Sequence, residues 1–295
     1  MAIRVTQNML NNNMMRNLNN SMGIMDKYQE QLSSGRKIAK PSDDPVVAAR
    51  GMLYRSSLME NNQYQRNATE AQSWLELSDD SMDQATDVLQ RVRELLVQSG
   101  DASLADDSLI AMGEEIKQLK NQLGSIANAT VGGRYIFAGT DTLTAPYQGG
   151  DFVNQNTSEI RLEVSKQVYV PINVNGQTIF NKKDADGDNV FKLLDAVVSN
   201  LSTGAPANDM LEKMDFQMDN LMAERAALGA RVNRIELVHA RLATEEVNVS
   251  GLMSTNEDAD VAEVITNLKT QENVHRAALG AGSRIIQPTL LDFLR

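Results

Sequence analysis

The 295-residue chain contains no cysteine, 6 proline, 2 histidine and only 4% aromatic residues. The absence of cysteine removes disulfides, thiolate metal sites and thiol nucleophiles. Few aromatics argue against one large aromatic-rich core, and the plentiful Ala, Leu, Met, Gln and Asn suit long helices instead. The 39 acidic residues outnumber the 28 basic ones for a net charge of −11, a field that repels phosphate backbones and anionic lipid. Nucleic acid and membrane insertion are therefore excluded as expected partners. No run of about 18 apolar residues occurs, and the start "MAIRVTQNMLNNNMMRNLNN" has no continuous apolar region, so export through a cleaved signal peptide is not expected.

What the chain does have is helical periodicity. Met14, Leu18, Ser21, Met25, Tyr28 and Leu32 recur at alternating intervals of 4 and 3, predicting a helix over 8–32. Seven Asn between Asn8 and Asn20 weaken it, because the Asn amide competes for nearby backbone groups. A coiled-coil seam follows through Tyr64, Ala68, Ala71, Leu75, Ser78, Met82, Ala85, Leu89, Val92 and Leu96. "SGDASLADDS" breaks it, and Leu109, Met112, Ile116, Leu119, Leu123 and Ile126 resume it on a second helix expected to lie antiparallel to the first.

From about residue 132 the pattern changes. "EIRLEV", "QVYVPINV" and "QTIF" read as strands, with Asn175-Gly176 between the last two as a type I′ hairpin turn. A short helix is expected at Val190 to Leu201. Heptads return at Leu211, Met214, Met218, Leu221, Arg225, Leu228, Val232, Ile235, His239, Leu242, Glu246 and Val249, three of them polar. A last pattern runs through Val261, Val264, Ile265, Leu268, Val274, Ala278, Ala281 and Ile285, and the chain closes on the apolar "PTLLDFLR".

The expected fold is mainly α with a small β domain, an elongated coiled-coil-like bundle built by both chain halves with terminal helices that pair on assembly. Its segments are an assembly helix and linker (1–42), the N-terminal half-bundle (43–131), a β-rich insert (132–205), the C-terminal half-bundle (206–255) and a C-terminal assembly helix (256–295).

Sites for chemistry are scarce. His239 and His275 lack the spacing that places two imidazoles on one helix face, and no Ser sits in a G-x-S-x-G elbow. Asp184, Asp186 and Asp188 alternate as at the start of a calcium loop, but Gly187 comes two places early and Asp195 replaces the bidentate Glu, so an acidic turn is the plainer reading. In "LSSGRKIAKPSDDPVVAAR", Gly35 suits the left-handed residue past a helix end, with Arg36 and Lys37 near the negative terminus. Asp44 suits an N-cap, with Ser42 and Asp43 as alternatives, and Pro45 suits the first helical turn. These residues describe a joint rather than a catalyst.

"LSSGRKIAKPSDDP", "LQRVRELLVQSG", "LGARVNRIE" and "EDADVAEVITNLKTQENVHRAALGAGSRI" resemble, in order, the terminal signatures of bacterial flagellins. "GGRYIFAGTDT" and "LLDFLR" look like the superfamily's hook-associated branch, the junction proteins between hook and filament. The resemblance implies a non-enzymatic, cofactor-free flagellar protein, exported unfolded through the flagellum's own channel after being held by a cytoplasmic chaperone. It further implies assembly as a ring of like subunits on a sister junction protein, beneath flagellin, with termini that become helical on assembly. Subunit packing would then involve Leu32, Gly35, Arg36, Asp44 and Pro45 in the joint, and Gln90, Arg91 and Glu94, counterparts of a flagellin segment also read by an innate immune receptor. Leu290, Leu291, Phe293 and Leu294 in the apolar tip complete the set. A short flagellin and an intracellular coiled-coil scaffold are the alternatives.

Overall fold

The computed structural model describes residues 7–101 and 104–285. Three long helices open the chain: α1 (Gln7–Ser34), α2 (Pro45–Ser99) and α3 (Asp106–Ala127). Three antiparallel two-stranded hairpins follow, β1 (Thr130–Val131) with β2 (Arg134–Tyr135), β3 (Tyr147–Gln148) with β4 (Asp151–Phe152), and β5 (Arg161–Ser165) with β6 (Val168–Pro171). Then come α4 (Gly176–Phe180), α5 (Val190–Ser202), α6 (Leu211–Glu257) and α7 (Val261–Ile285). The chain groups into two compact units, Asn61–Glu245 and a terminal unit of Met1–Glu60 with Glu246–Arg295. Residues 43–60, at the start of the predicted half-bundle, group with the terminal unit.

In the central unit the α2 seam is buried from Ala68 to Leu96, and Tyr64 is partly buried. A second stripe, Trp74, Ser81, Val88 and Leu95, is buried as well. One helix with two buried stripes must face two neighbours. On one side α6 runs antiparallel to it: Asn61 donates to the Leu242 carbonyl, His239 meets Thr69, Arg225 pairs with Asp79 and Asp83, and Arg93 with Asp215. The polar seam positions Arg225 and His239 are thereby explained, since their side chains reach polar groups of α2. On the other side lies α3, also antiparallel, with Arg91 bonded to Glu115 while Leu77, Ser81 and Gln84 border Gln122, Ser125 and Ile126.

The hairpin expected at Asn175-Gly176 is not formed. Asn175 instead caps α4, its side chain accepting from the Gln177 N–H, and "QTIF" is helical. The reason lies outside the dipeptide: a Cβ on Gly176 would stand 2.4 Å from the Phe137 carbonyl oxygen and 2.6 Å from the Phe152 ring, so glycine is required for close packing. The hairpin turn falls at Lys166 and Gln167, with Gln167 at φ +61°. The helix expected at 190–201 is α5, capped by Asn189.

The insert is closed by aromatic contacts. Phe180 meets Phe137 edge-on at 5.2 Å and lies 5.8 Å from Phe152 and 6.2 Å from Phe191, while Tyr147 lies 4.6 Å from Phe191. Ala85 and Leu89 of α2, Leu123 of α3 and Leu221 of α6 surround the same core, which leaves a void of only about 10 Å³. Few aromatics are thus concentrated where helices and hairpins must interlock.

Candidate assembly surface and joint

In the terminal unit α1 and α7 pair antiparallel: Met14 lies over Gly282, and Ser21 meets Gln271 and His275. On α1 the predicted stripe faces the partner, with Leu18 and Ser21 buried and Met14, Met25 and Tyr28 half-buried. On α7 the expected stripe splits. Val264 and Leu268 are buried, but the seam continues through Gln271, His275, Ala278 and Gly282, leaving Ile265 and Val274 outside.

Among the described residues of this unit, only Leu18, Val264 and Leu268 are buried apolar side chains. Large apolar residues stand exposed on every helix: Met15, Met22 and Ile24 on α1, Met52, Leu53 and Met59 on α2, Val247 and Leu252 on α6, and Ile265, Val274 and Leu279 on α7. Leu53 and Val247 are 67% and 71% exposed. Among its described residues the unit thus exposes more large apolar side chains than it buries.

The joint is built from three stretches. Gly35, at φ +70°, ends α1 with its N–H on the Gln31 carbonyl. Beyond it the linker pairs with the turn between α6 and α7: Lys37 N–H donates to the Glu257 carbonyl at 2.7 Å and Ala259 N–H to the Gly35 carbonyl at 2.8 Å. Asp44 caps α2, accepting from Val46 and Val47 N–H at 2.9 and 3.1 Å, and Pro45 is the first helical residue. Asp43 instead closes the linker turn by accepting from Ala39 and Lys40 N–H. The Lys40 hydrogen bond, foremost, holds this carboxyl below the usual carboxylate range. A depressed carboxylate supports the fold above its unfolded-state pKa, so this turn weakens as the pH falls into the acid range.

At the centre of the joint is a residue that local sequence patterns did not single out. The Glu257 side chain is 5% exposed and ion-paired to Arg55, with Arg36 at 3.9 Å. It occupies the space over Gly51, where a Cβ would stand 1.8 Å from its carboxylate. A lone glycine within the helical stretch "AARGMLY" was the available signal, because such a glycine often marks close approach. Asn256 adds a hydrogen bond to the Val47 carbonyl.

The structure places Leu32, Gly35, Arg36, Asp44 and Pro45 in the terminal unit, with Leu32 at the exposed end of α1. Gln90, Arg91 and Glu94 belong to the central unit, exposed on α2, where Arg91 bonds Glu94 and Glu115. Those two bonds, Glu115 first, raise the Arg91 pKa. Leu290, Leu291, Phe293 and Leu294 lie outside the described residues. The acidic turn closes on itself, Asp184 accepting from Asp186 and Asp188 N–H, and Asp186 pairs with Lys213 at 2.5 Å. Among the described residues no three His, Cys, Asp or Glu converge as metal ligands, and no helix is long and apolar enough to cross a membrane.

The two ends of the chain also match known sequence regions. Residues 5–142 match the bacterial flagellin N-terminal helical region and residues 211–294 the bacterial flagellin C-terminal helical region. The chain belongs to the bacterial flagellin family. Among flagellin-family relatives, flagellar hook-associated protein 3 of Escherichia coli (strain K12) is 28% identical over 304 residues, covering 95% of this chain and 96% of the relative. The protein of the same name from Salmonella typhimurium is 25% identical over 300 residues, covering 94% and 95%. Flagellin of Bacillus subtilis (strain 168) is 26% identical over 288 residues, covering 92% of each. The fold is shared with a putative flagellar hook-associated protein from Vibrio parahaemolyticus (TM-score 0.67, 23% identity, 73% of this chain and 100% of that one). It is shared too with the flagellar junction protein FlgL from Legionella pneumophila (TM-score 0.59, 17% identity, 71% and 100%). As a member of this family the chain is a structural component of the bacterial flagellum.

Proposed function

We propose that the chain is the junction subunit joining hook to flagellin filament, assembling as a ring of copies on a sister junction protein. One observation carries the assembly mechanism: among its described residues the terminal unit leaves large apolar side chains exposed on all four of its helical segments and buries only Leu18, Val264 and Leu268. Each such side chain contributes roughly 1.5–3 kcal/mol when a neighbour covers it, before ordering costs. Near-full-length similarity to two hook-associated proteins supports the junction over other positions in the flagellum. Secretion through the flagellar channel, prior binding of the C-terminal region by a cytoplasmic chaperone, and packing through Leu32, Gly35, Arg36, Asp44, Pro45, Gln90, Arg91, Glu94 and the tip leucines and Phe293 belong to the same proposal. So does a non-catalytic role. Failure of the purified chain to activate reporter cells bearing the flagellin receptor would remove receptor recognition alone.

Similarity to a flagellin over 92% of each chain favours one rival, a short filament subunit. Immunogold labelling separates the two, because a junction subunit gives one focus at the filament base and a filament subunit decorates its whole length. Deleting residues 286–295 should make filament monomers leak into the medium. Normal filaments after that deletion would contradict the junction role.

A further inference from the structure

The α1–α7 seam is interrupted at its middle by a polar layer. Ser21 is 7% exposed, and its hydroxyl takes a hydrogen bond from Gln271 Nε2 at 3.1 Å and contacts His275 Nδ1 at 3.3 Å. Apolar residues would pack here at no cost in hydrogen bonding, as Leu18 does three residues earlier and Val264 and Leu268 do on the facing helix. The rest of the seam fixes alignment weakly. Its apolar residues are few, and the Met14–Gly282 contact joins a flexible side chain to one with no Cβ. A heptad-like helix pair held by few large knobs can slide by seven residues, about 10.5 Å, and still present a similar face.

We propose that Ser21, Gln271 and His275 form a register key for the terminal helices. Sliding by one heptad sets the hydroxyl against Leu268 in one direction and Gly282 in the other and separates it from both partners, so the layer selects one alignment at some cost in stability. That alignment decides which exposed residues of α1, such as Met15 and Met22, are presented beside Ile265, Val274 and Leu279 of α7. A neighbouring subunit therefore meets one composite surface instead of several. The inference concerns the helix pair itself and stands or falls independently of which flagellar position the chain occupies.

Because the full-length chain has no cysteine, paired cysteine substitutions oxidised in isolated flagella, where the terminal helices are assembled, allow a direct test, read as intramolecular cross-links on a non-reducing gel. Met14→Cys with Gly282→Cys reports the observed register. Met25→Cys with Ala278→Cys, and Met25→Cys with Val264→Cys, report slips of seven residues in either direction, and all three pairs leave the layer intact. In the otherwise unsubstituted chain only the first pair should close. Adding Ser21→Leu with Gln271→Ala, which roughly conserves volume, should raise the ratio of slipped to native cross-link by about tenfold or more, whereas Ser21→Thr, which keeps the hydroxyl, should not. Closure of the native pair alone after the layer is removed, equal closure of all pairs with it present, or failure of the native pair to close at all would each overturn the proposal.

Discussion

A chain carrying Met22→Asp and Leu53→Asp is expected to fold as before and yet fail to enter the flagellum. Both side chains are mostly exposed, at 56% and 67%, so neither substitution opens a cavity in a core, and aspartate costs at most about 0.7 kcal/mol of helix propensity per site. On assembly the balance reverses. Each position loses roughly 1.5–3 kcal/mol of apolar burial and places a carboxylate where water is excluded. Together they should lower incorporation more than about a hundredfold, since each 1.4 kcal/mol is worth a factor of ten. Denaturant melts of the purified chain alongside immunoblots of isolated flagella measure both halves. Unchanged incorporation would mean that these faces stay exposed in the flagellum.

The second large effect belongs to the central unit. Phe180→Ala should destabilise it by about 3–5 kcal/mol. Phe180 is 2% exposed, touches three other aromatic rings, and sits beside a void of about 10 Å³ that offers no slack to absorb the loss. Gly176 cannot shift inward without meeting the Phe137 carbonyl, so the site has little freedom to collapse. Equilibrium unfolding followed by near-ultraviolet circular dichroism reports the aromatic cluster. A loss below about 1 kcal/mol would show that the insert is not anchored through this ring.

What was legible in the sequence follows from what is local. The seam of α2 was visible residue by residue because burial against one neighbour imposes a strict 4-3 spacing. The stripe of Trp74, Ser81, Val88 and Leu95 repeats every seven residues too, but it faces a different side of the helix, and reading a single seam hid it. The caps of the joint were equally local: Gly35 and Asp44 act on groups within four residues of themselves. Asn175-Gly176 was misread because that dipeptide serves a hairpin or a cap followed by a close approach, and the Phe137 carbonyl that decides between them lies 39 positions away. Gln167 carries no hint of its positive φ. Glu257 was invisible as a buried pivot because Arg55 stands 202 positions away. For the flagellar role the terminal motifs sufficed, while the composite surface formed by α1 and α7 depended on their alignment.

The central claim is that the apolar faces of the terminal unit are exposed in the free chain and covered in the flagellum. Single-cysteine variants Met22→Cys, Leu53→Cys and Val274→Cys, with Leu143→Cys in the central unit as a control at 81% exposure, allow maleimide labelling of free chain and isolated hook–filament particles side by side. All four should label rapidly in the free chain, and in the particles only the Leu143→Cys variant should remain reactive. Equal labelling of the three terminal positions before and after assembly would contradict assembly by burial.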